Sequence, residues 1–323
     1  MKTYTYALLA AAAATGMALG QTAYTTPVGY TTTTLKQGFN NVGITVHAPT
    51  KIAGNLEVIA TNSVQDTTAG VNFTTALGAT GTLHILEITS GAALGFVSEI
   101  NTWNTSSITT VDNLVAQGVV AGDTYKIRKA PTLEEIFGTA TTGPLTAGGA
   151  TTADLVHVPT GVPGQYTQYH LTAGGAFRSV VPSALAPNVP VVYLDGLFVQ
   201  RKATGTKDLV ISGEVKTTKT KSNLVTGFNY IGTVYPVGST IQNSGLEAFI
   251  TPGAAAVADI IHVPTATPGQ YTQVFRNAAN TWRTVVPAGN APVIDLTGAI
   301  FIERKGAATP YAISVPSTWS VTP

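Results

Sequence analysis

A long internal duplication restricts the fold of this chain more than any other feature of its sequence. ADLVHVPTGVPGQYTQ at 153–168 recurs as ADIIHVPTATPGQYTQ at 258–273, 105 positions later. With small changes in length the correspondence continues to 198–202 and 301–305. A period of this size exceeds the 20–50 residues of a solenoid unit. The sequence therefore predicts two repeated domains.

The duplication also extends upstream, where the first copy is interrupted. GFNNVG at 38–43 matches GFNYIG at 227–232, but the next matching segment lies much further away in the first copy. We therefore expect residues 51–131 to be inserted into the first copy, with three tandem modules as the alternative. The predicted organisation is a leader at 1–20, a first β module at 21–212 that contains the insertion, and a second β module at 213–323.

Short apolar segments bounded by Gly and Pro fill each copy. Pro163 and Gly164 suit the central positions of a type II turn between two strands. The capping-box pattern at Thr132–Phe137 predicts a brief helix, and Val111–Gln117, followed by Gly118, predicts another. The fold class predicted is all-β: two homologous antiparallel β-sandwich or barrel-like modules, the first with an inserted β-rich segment, and few short helices.

The first twenty residues have the pattern of a secretory signal peptide. Lys2 precedes an apolar run from Tyr6 to Leu19, and Ala18–Gly20 supplies small residues for cleavage. The run is shorter than the roughly 20 residues of a transmembrane helix. We expect a secreted protein, extracellular or at the cell surface, with the periplasm as an alternative and no transmembrane segment after cleavage.

The composition excludes several classes of function. The chain has no Cys, which rules out disulfides, thiolate metal sites and Cys nucleophiles. Only 10% of its residues are charged, against about 25% in a typical domain. Without Lys2, its 17 basic residues become 16 and equal its 16 acidic residues. A neutral, Thr-rich surface favours association between copies of the chain, and the lack of clustered basic residues argues against a nucleic-acid partner.

Two matched Asp-x-x-His pairs are candidate metal or acid–base groups. They are Asp154 with His157 and Asp259 with His262. Residues i and i+3 of a strand point to opposite faces, and the sequence offers no further ligand beside either pair. We therefore expect structural roles for all four residues, and no cofactor.

A second candidate site consists of aromatic and amide side chains. Tyr166 and Gln168 share one face of a predicted strand, Tyr271 and Gln273 repeat that arrangement, and Trp282 belongs to the following strand. Aromatic rings beside amides suit the apolar face of a sugar. Ordinary cross-strand packing is the alternative explanation.

The familiar catalytic motifs are missing. The sequence contains no G-x-S-x-G, H-E-x-x-H, P-loop or G-x-G-x-x-G, so we do not expect an enzyme. Arg201–Lys221 is rich in basic residues and is interpreted either as a contact for polyanionic polysaccharide or as an exposed strand or linker. Thr22–Leu35, extended and Thr-rich, is either a strand donated to a neighbouring copy or the first strand of its own domain.

The run GDTYKIRKAPTLEEIFG at 122–138 resembles a segment of an uncharacterised family of exported proteins from verrucomicrobial bacteria. The leader and the repeated β character are similar as well. The resemblance implies an exported bacterial protein and carries no activity. Export, the duplicated domains without catalytic motifs and the neutral, Thr-rich surface together favour a surface or structural protein. We expect it to associate with itself in an extracellular layer, filament or matrix. A module that binds carbohydrate or cell-wall material is the alternative, and a secreted hydrolase a weaker third.

Overall fold

The protein is all-β, as predicted. A computed structural model describes residues 27–317 apart from 80 and 297, so the predicted signal peptide lies outside the described residues. Strands account for 42% of the described residues and helices for 4%, and none of the sheets that these residues form is closed. Among the described residues, no helix is long and apolar enough to cross a membrane.

The strands fall into two copies and an insertion. Copy 1 begins with β1 (Val28–Leu35) and β2 (Gly38–Gly43). The insertion contains β3 (Thr50–Asn55), β4 (Val58–Ala60), β5 (Ser63–Gln65), β6 (His84–Ile88), β7 (Val97–Trp103), β8 (Ser107–Thr110) and β9 (Thr124–Lys129). Copy 1 resumes with β10 (Leu155–Pro159), β11 (Tyr166–Leu171), β12 (Phe177–Ser179), β13 (Gly196–Arg201) and β14 (Lys207–Glu214). Copy 2 contains β15 (Thr220–Leu224), β16 (Gly227–Gly232), β17 (Ile260–Pro264), β18 (Tyr271–Arg276), β19 (Trp282–Thr284), β20 (Gly289–Asn290), β21 (Ala299–Arg304) and β22 (Thr309–Ile313). The helical segments are α1 (Phe73–Leu77), α2 (Leu133–Phe137) and a 3-10 turn at Leu246–Ala248.

Both copies have the same strand order. Copy 1 forms an antiparallel sheet in the order β12-β11-β10-β13-β2 and a two-stranded ribbon of β1 and β14. Copy 2 repeats this arrangement as β19-β18-β17-β21-β16, with β20 added at the edge and β15 and β22 as its ribbon. Sequence identity between the copies therefore corresponds to identity of topology.

Sheet and ribbon pack on a hydrophobic core that the two copies share. Alternate residues of the central strands point into it, among them Val156 and Val199 of copy 1 and Ile261 and Ile302 of copy 2, all fully buried. Leu209 of the copy 1 ribbon joins the same cluster. The period of two along each strand leaves the opposite face of each sheet for other contacts.

The insertion has a sheet and a core of its own. Its strands run in the order β3-β9-β6-β7-β8-β5-β4, which differs from that of the copies. The residues of its core share their apolar character and full or nearly full burial: Leu56, Val64, Phe73, Leu77, Leu86, Ile88, Ala93, Phe96, Ile100, Ile108, Leu114, Val119, Tyr125 and Ile127.

Buried charges tie the insertion to the two copies. Glu87 of β6 pairs with Arg128 of β9 and with Lys216 of the segment that joins the copies. Arg128 also pairs with Glu214 at the end of β14. Sequence analysis placed Arg201–Lys221 on the surface. This is wrong for Arg201 and Lys216, each 4% exposed, because the insertion covers the joining segment and backbone carbonyls of the loop at 202–206 and of Leu35 bind Arg201.

The predicted helices have different outcomes. The capping box at Thr132 is formed: its side chain accepts from Glu135 N–H, and the Glu135 carboxylate accepts from Thr132 N–H. The helix predicted at Val111–Gln117 is wrong. Gln117 N–H bonds to Leu114 at i−3, so the segment closes as separate turns without a helical ladder.

Candidate functional site

The aromatic faces of the two sheets meet at the boundary between the copies. In copy 1, His157 lies opposite both Phe198 and Gln168 in the ladder, which places these side chains on the face away from the core. In copy 2, His262 lies opposite Phe301 and Gln273 in the same manner. The two copies thus present matching rows of rings and amides.

Stacked rings fill the centre of this boundary. Tyr230 of copy 2 stacks on Phe198, at a centroid distance of 4.1 Å, and on Phe301, at 4.3 Å. Phe198 and Phe301 also contact each other, at 4.8 Å, so the three rings form a compact triangle. The single hydroxyl proton of Tyr230 is shared between two acceptors, Asn41 Oδ1 of copy 1 and the carbonyl of Leu197. Rings at these separations attract one another beyond the area that they bury, so the stack holds the copies together.

Beside the stack lies an open cleft of about 330 Å³. Its lining comes from both copies and is almost wholly apolar: Phe39, His157, Tyr166, Phe198, Gly269, Tyr271 and Phe301. The structure therefore brings Tyr166 and Tyr271 into one site, although 105 residues separate them in the sequence. Burial raises the pKa of Tyr166 to about 12, with a further contribution from Tyr271, so its hydroxyl remains protonated.

Two grooves adjoin the cleft, the first with a mainly polar lining and the second with a mixed one. Groove 1, about 350 Å³, forms where the turn at 264–270 of copy 2 lies against Lys36–Asn41 of copy 1. Groove 2, about 180 Å³, forms where the turn at 159–165 of copy 1 lies against Val225–Ile231 of copy 2. The turns require Gly164 and Gly269, at φ +74° and +78°, as the type II prediction demands.

In each Asp-x-x-His pair, the aspartate has a structural role and the histidine lies on the aromatic face. Asp154 Oδ1 accepts from Lys202 N–H and its Oδ2 from Thr146 N–H, both at 2.7 Å. Asp259 makes the corresponding bonds to Lys305 and Thr251. Each carboxylate thereby fixes the end of a central strand to the preceding loop.

The paired histidines lie on the other side, at the aromatic face. Burial lowers the pKa of His157, and burial, partly offset by Glu303, lowers that of His262. Among the described residues, no three His, Cys, Asp or Glu side chains are grouped to hold a metal ion. Asp and His therefore do not converge within either pair.

Of the remaining predicted site residues, Gln168 and Gln273 lie on the aromatic face and Trp282 does not. Gln168 is exposed and Gln273 half-buried on the aromatic face, and Gln273 Nε2 lies 3.4 Å from His262 Nδ1. Trp282 lies opposite Arg276 in the ladder and packs against the shared core, so it is not part of the cleft. The register explains this position. Trp282 lies opposite Arg276, which is on the same face of β18 as Val274, and the side chain of Val274 points into the core.

A second feature of copy 1 is the outer edge of its ribbon. β1 pairs with β14 over eight residues without a bulge, and Val215 N–H bonds to Pro27 O. In an antiparallel pair, the N–H and C=O groups of successive residues point alternately toward the partner strand and away from it. The N–H and C=O groups of Val28, Tyr30, Thr32 and Thr34 therefore point away from β14, and no described residue pairs with them.

In copy 2 the corresponding edge is covered. Lys221 N–H donates to Gly95 O of the insertion, and Phe96 forms a parallel bridge with Lys221. Thr32 is the counterpart of Lys221, since each precedes the matching GFN segment by six residues. The two copies thus differ at this position: Lys221 has a backbone partner on its outer side, and Thr32 has none among the described residues.

Comparisons with protein-family models, curated proteins and solved structures found no match to this chain. The function must therefore be inferred from the chemistry of these surfaces.

Sequence reasoning missed Phe39, Phe198 and Phe301, which line the cleft with the two tyrosines. A signal for them was present. Phe39 lies in the repeated GFN segment, and Phe198 and Phe301 occupy matched positions before the repeated basic pair. Alternation along β13 and β21 would have placed both on the outward face.

Proposed function

We propose that this is an exported, non-catalytic surface protein that associates with a second copy of itself through the open edge of β1. The observation that carries the proposal is the unpaired row of backbone groups at Val28, Tyr30, Thr32 and Thr34. Export rests on the leader predicted from the sequence, and association would place the protein in an extracellular or cell-surface assembly.

The edge lacks the devices that normally prevent pairing. Natural sheets protect their edges with charged residues, prolines, bulges or a covering segment. β1 reads VGYTTTTL, without a charge or a proline, and its register is regular throughout. Its outer face is exposed, with Val28 at 77% and Tyr30 at 74%. A strand with these properties is a template for another strand.

A second copy is the occupant that the chain itself favours. Antiparallel pairing of two β1 strands would join two ribbons around a twofold axis, and such an interface uses the same patch on both partners. β1 carries no charge that would oppose its own copy, and the whole chain has a formal net charge of only +1. Copy 2 shows that the equivalent edge can accept a backbone hydrogen bond, since Lys221 N–H donates to Gly95 O there.

Replacing Thr32 by Pro tests the proposal. The substitution removes an N–H that points away from β14, so it leaves the ladder between β1 and β14 intact. Thr32→Ala is the matched control, because it shortens the side chain and keeps the N–H. Sedimentation velocity over a concentration series should show association of the parent and of Thr32→Ala, with the midpoint for Thr32→Pro raised by roughly tenfold or more.

Two results would refute the association. One is a parent chain that stays monomeric up to about 1 mM, the weakest affinity worth assigning to a specific contact. The other is a folded Thr32→Pro variant that associates as strongly as the parent.

A further inference from the structure

The depressions at the copy boundary form one continuous surface. The central cleft shares Phe39 and Gly269 with groove 1 and Tyr166 with groove 2. Because neighbouring depressions have lining residues in common, a ligand in the cleft can extend into either groove. Such a surface suits a chain of several units better than an isolated small molecule.

The chemistry of the surface changes from its centre to its ends. Aromatic rings line the cleft, whereas exposed hydroxyl and amide groups line groove 1, among them Thr265, Thr267 and Gln270. Groove 2 offers Gln165 and Asn223. A sugar ring has an apolar face of C–H groups and a rim of hydroxyls, so it can place its face on aromatic rings and its rim against amides.

The charges at the boundary argue for a neutral ligand. Of the residues that line the three depressions, the basic or acidic ones are His157, Lys36, Asp195 and Asp295. The Lys36 ammonium already donates to the carbonyl of Ala266 at 2.9 Å, and burial lowers the pKa of His157, which favours its neutral form. A polyanion would need a cluster of free cations, which this lining does not supply.

We infer that the copy boundary binds a neutral polysaccharide, with one sugar ring in the cleft against Tyr166 and Tyr271 and the flanking sugars in the grooves. This inference is independent of the association through β1. Neither copy could form the cleft alone, because Phe39, His157, Tyr166 and Phe198 come from copy 1 and Gly269, Tyr271 and Phe301 from copy 2.

Titration calorimetry with defined hexasaccharides tests the inference. The probes are neutral β-1,4-glucan, β-1,3-glucan, β-1,4-xylan and β-1,4-mannan hexamers, with an oligogalacturonate hexamer as the charged counterpart. At least one neutral hexamer should bind, and more tightly than the oligogalacturonate. Phe39→Ala, at a ring 39% exposed, should weaken that binding roughly tenfold.

Tyr30→Ala is the matched control, because Tyr30 is an exposed ring on β1, which supplies no ring to the cleft. It should leave sugar binding unchanged. Tyr271→Leu provides a second test: it keeps an apolar side chain but removes the ring, so it should also weaken binding of the hexamer, and thermal melting shows that each variant is folded. A folded Phe39→Ala variant that binds as the parent does would overturn the inference.

Other outcomes would also overturn it. One is the absence of binding by every neutral hexamer at about 10 mM, a concentration that detects even weak sites. Another is tighter binding of the oligogalacturonate. A third is an apolar dye that enters the cleft and that no sugar displaces, which would identify an apolar occupant. A chain that stays monomeric yet binds a neutral hexamer would refute the association and keep this inference.

Discussion

Asp195 gives the sharpest test of the energetics at the copy boundary. It lines groove 2 beside Tyr230 and Tyr311. Burial, with a smaller contribution from the charge of Glu99, raises its pKa from 3.8 to about 7. The folded protein therefore binds a proton here that the unfolded chain has released, so this group lowers stability progressively as the pH rises from about 4 to about 7.

Replacing Asp195 by Asn removes this penalty. Three pKa units correspond to about 4 kcal/mol, an upper bound because the side chain is only half-buried. The variant should be little changed at about pH 4, and its advantage over the parent should grow by about 2–3 kcal/mol between about pH 5 and about pH 8. Urea unfolding across this pH range measures the difference.

Asp208→Asn is the control, since Asp208 is an exposed carboxyl on β14 and the substitution makes the same chemical change at a position outside the copy boundary. The reasoning fails if the advantage of Asp195→Asn is the same at about pH 5 and about pH 8, or if the variant is less stable than the parent at the higher pH.

Two further predictions concern packing and acid sensitivity. Gly43→Ala should destabilise the protein by about 1–3 kcal/mol, because a Cβ there would overlap the carbonyl oxygen of Gly298. Gly149→Ala is the control, since Gly149 has open space around it. In the same urea titration, its free energy of unfolding should stay within about 0.5 kcal/mol of the parent's. Burial lowers the pKa of all five histidines, so at these groups the unfolded chain binds more protons. Their contribution to thermal stability should fall as the pH drops below about 6.5, opposite in sign to that of Asp195, and is measured in the Asp195→Asn background. His47, only 2% exposed, lies near the charges of Arg128 and Lys216, and His47→Gln should flatten that fall; an unchanged slope would contradict this prediction.

The class of the fold could be predicted because local signals agree with one another. Gly and Pro set the turns, as at Gly164 and Gly269, and β-branched runs set the strands between them. The capping box at Thr132 works because both of its bonds lie within four residues. Such signals depend only on neighbours in the sequence, so the sequence alone is enough to interpret them.

Features that depend on distant partners were harder to predict. Val189–Val199 reads as one strand, yet β13 begins only at Gly196, because Val191 bonds back to Pro131 and Gly232 of copy 2 bonds to Leu194. Lys216 looks like a surface residue until Glu87, 129 positions away, is found beside it. No local sequence pattern predicts the contacts of Val191 and Leu194 or the ion pair of Lys216 with Glu87.

At the candidate site, too, local features could be predicted from the sequence and contacts between distant residues could not. Alternation placed Tyr166 and Tyr271 on exposed faces, but only the packing of copy on copy brings them into one cleft. Trp282 was grouped with them by its aromatic character, whereas its register beside Arg276 directs it to the core. A shift of one residue is enough to send a strand side chain to the opposite face, and sequence cannot fix that register.

The cover that Gly95 and Phe96 place over β15 bears on how large an assembly of this protein can become. If both ribbons presented this edge, pairing through it could add a neighbour at each ribbon without limit, whereas with the β15 edge contacted at Lys221 only the β1 edge is open to such pairing, which then stops at a pair. The inserted unit would then act as a terminator, and its excision would convert a closed dimer into a growing fibre.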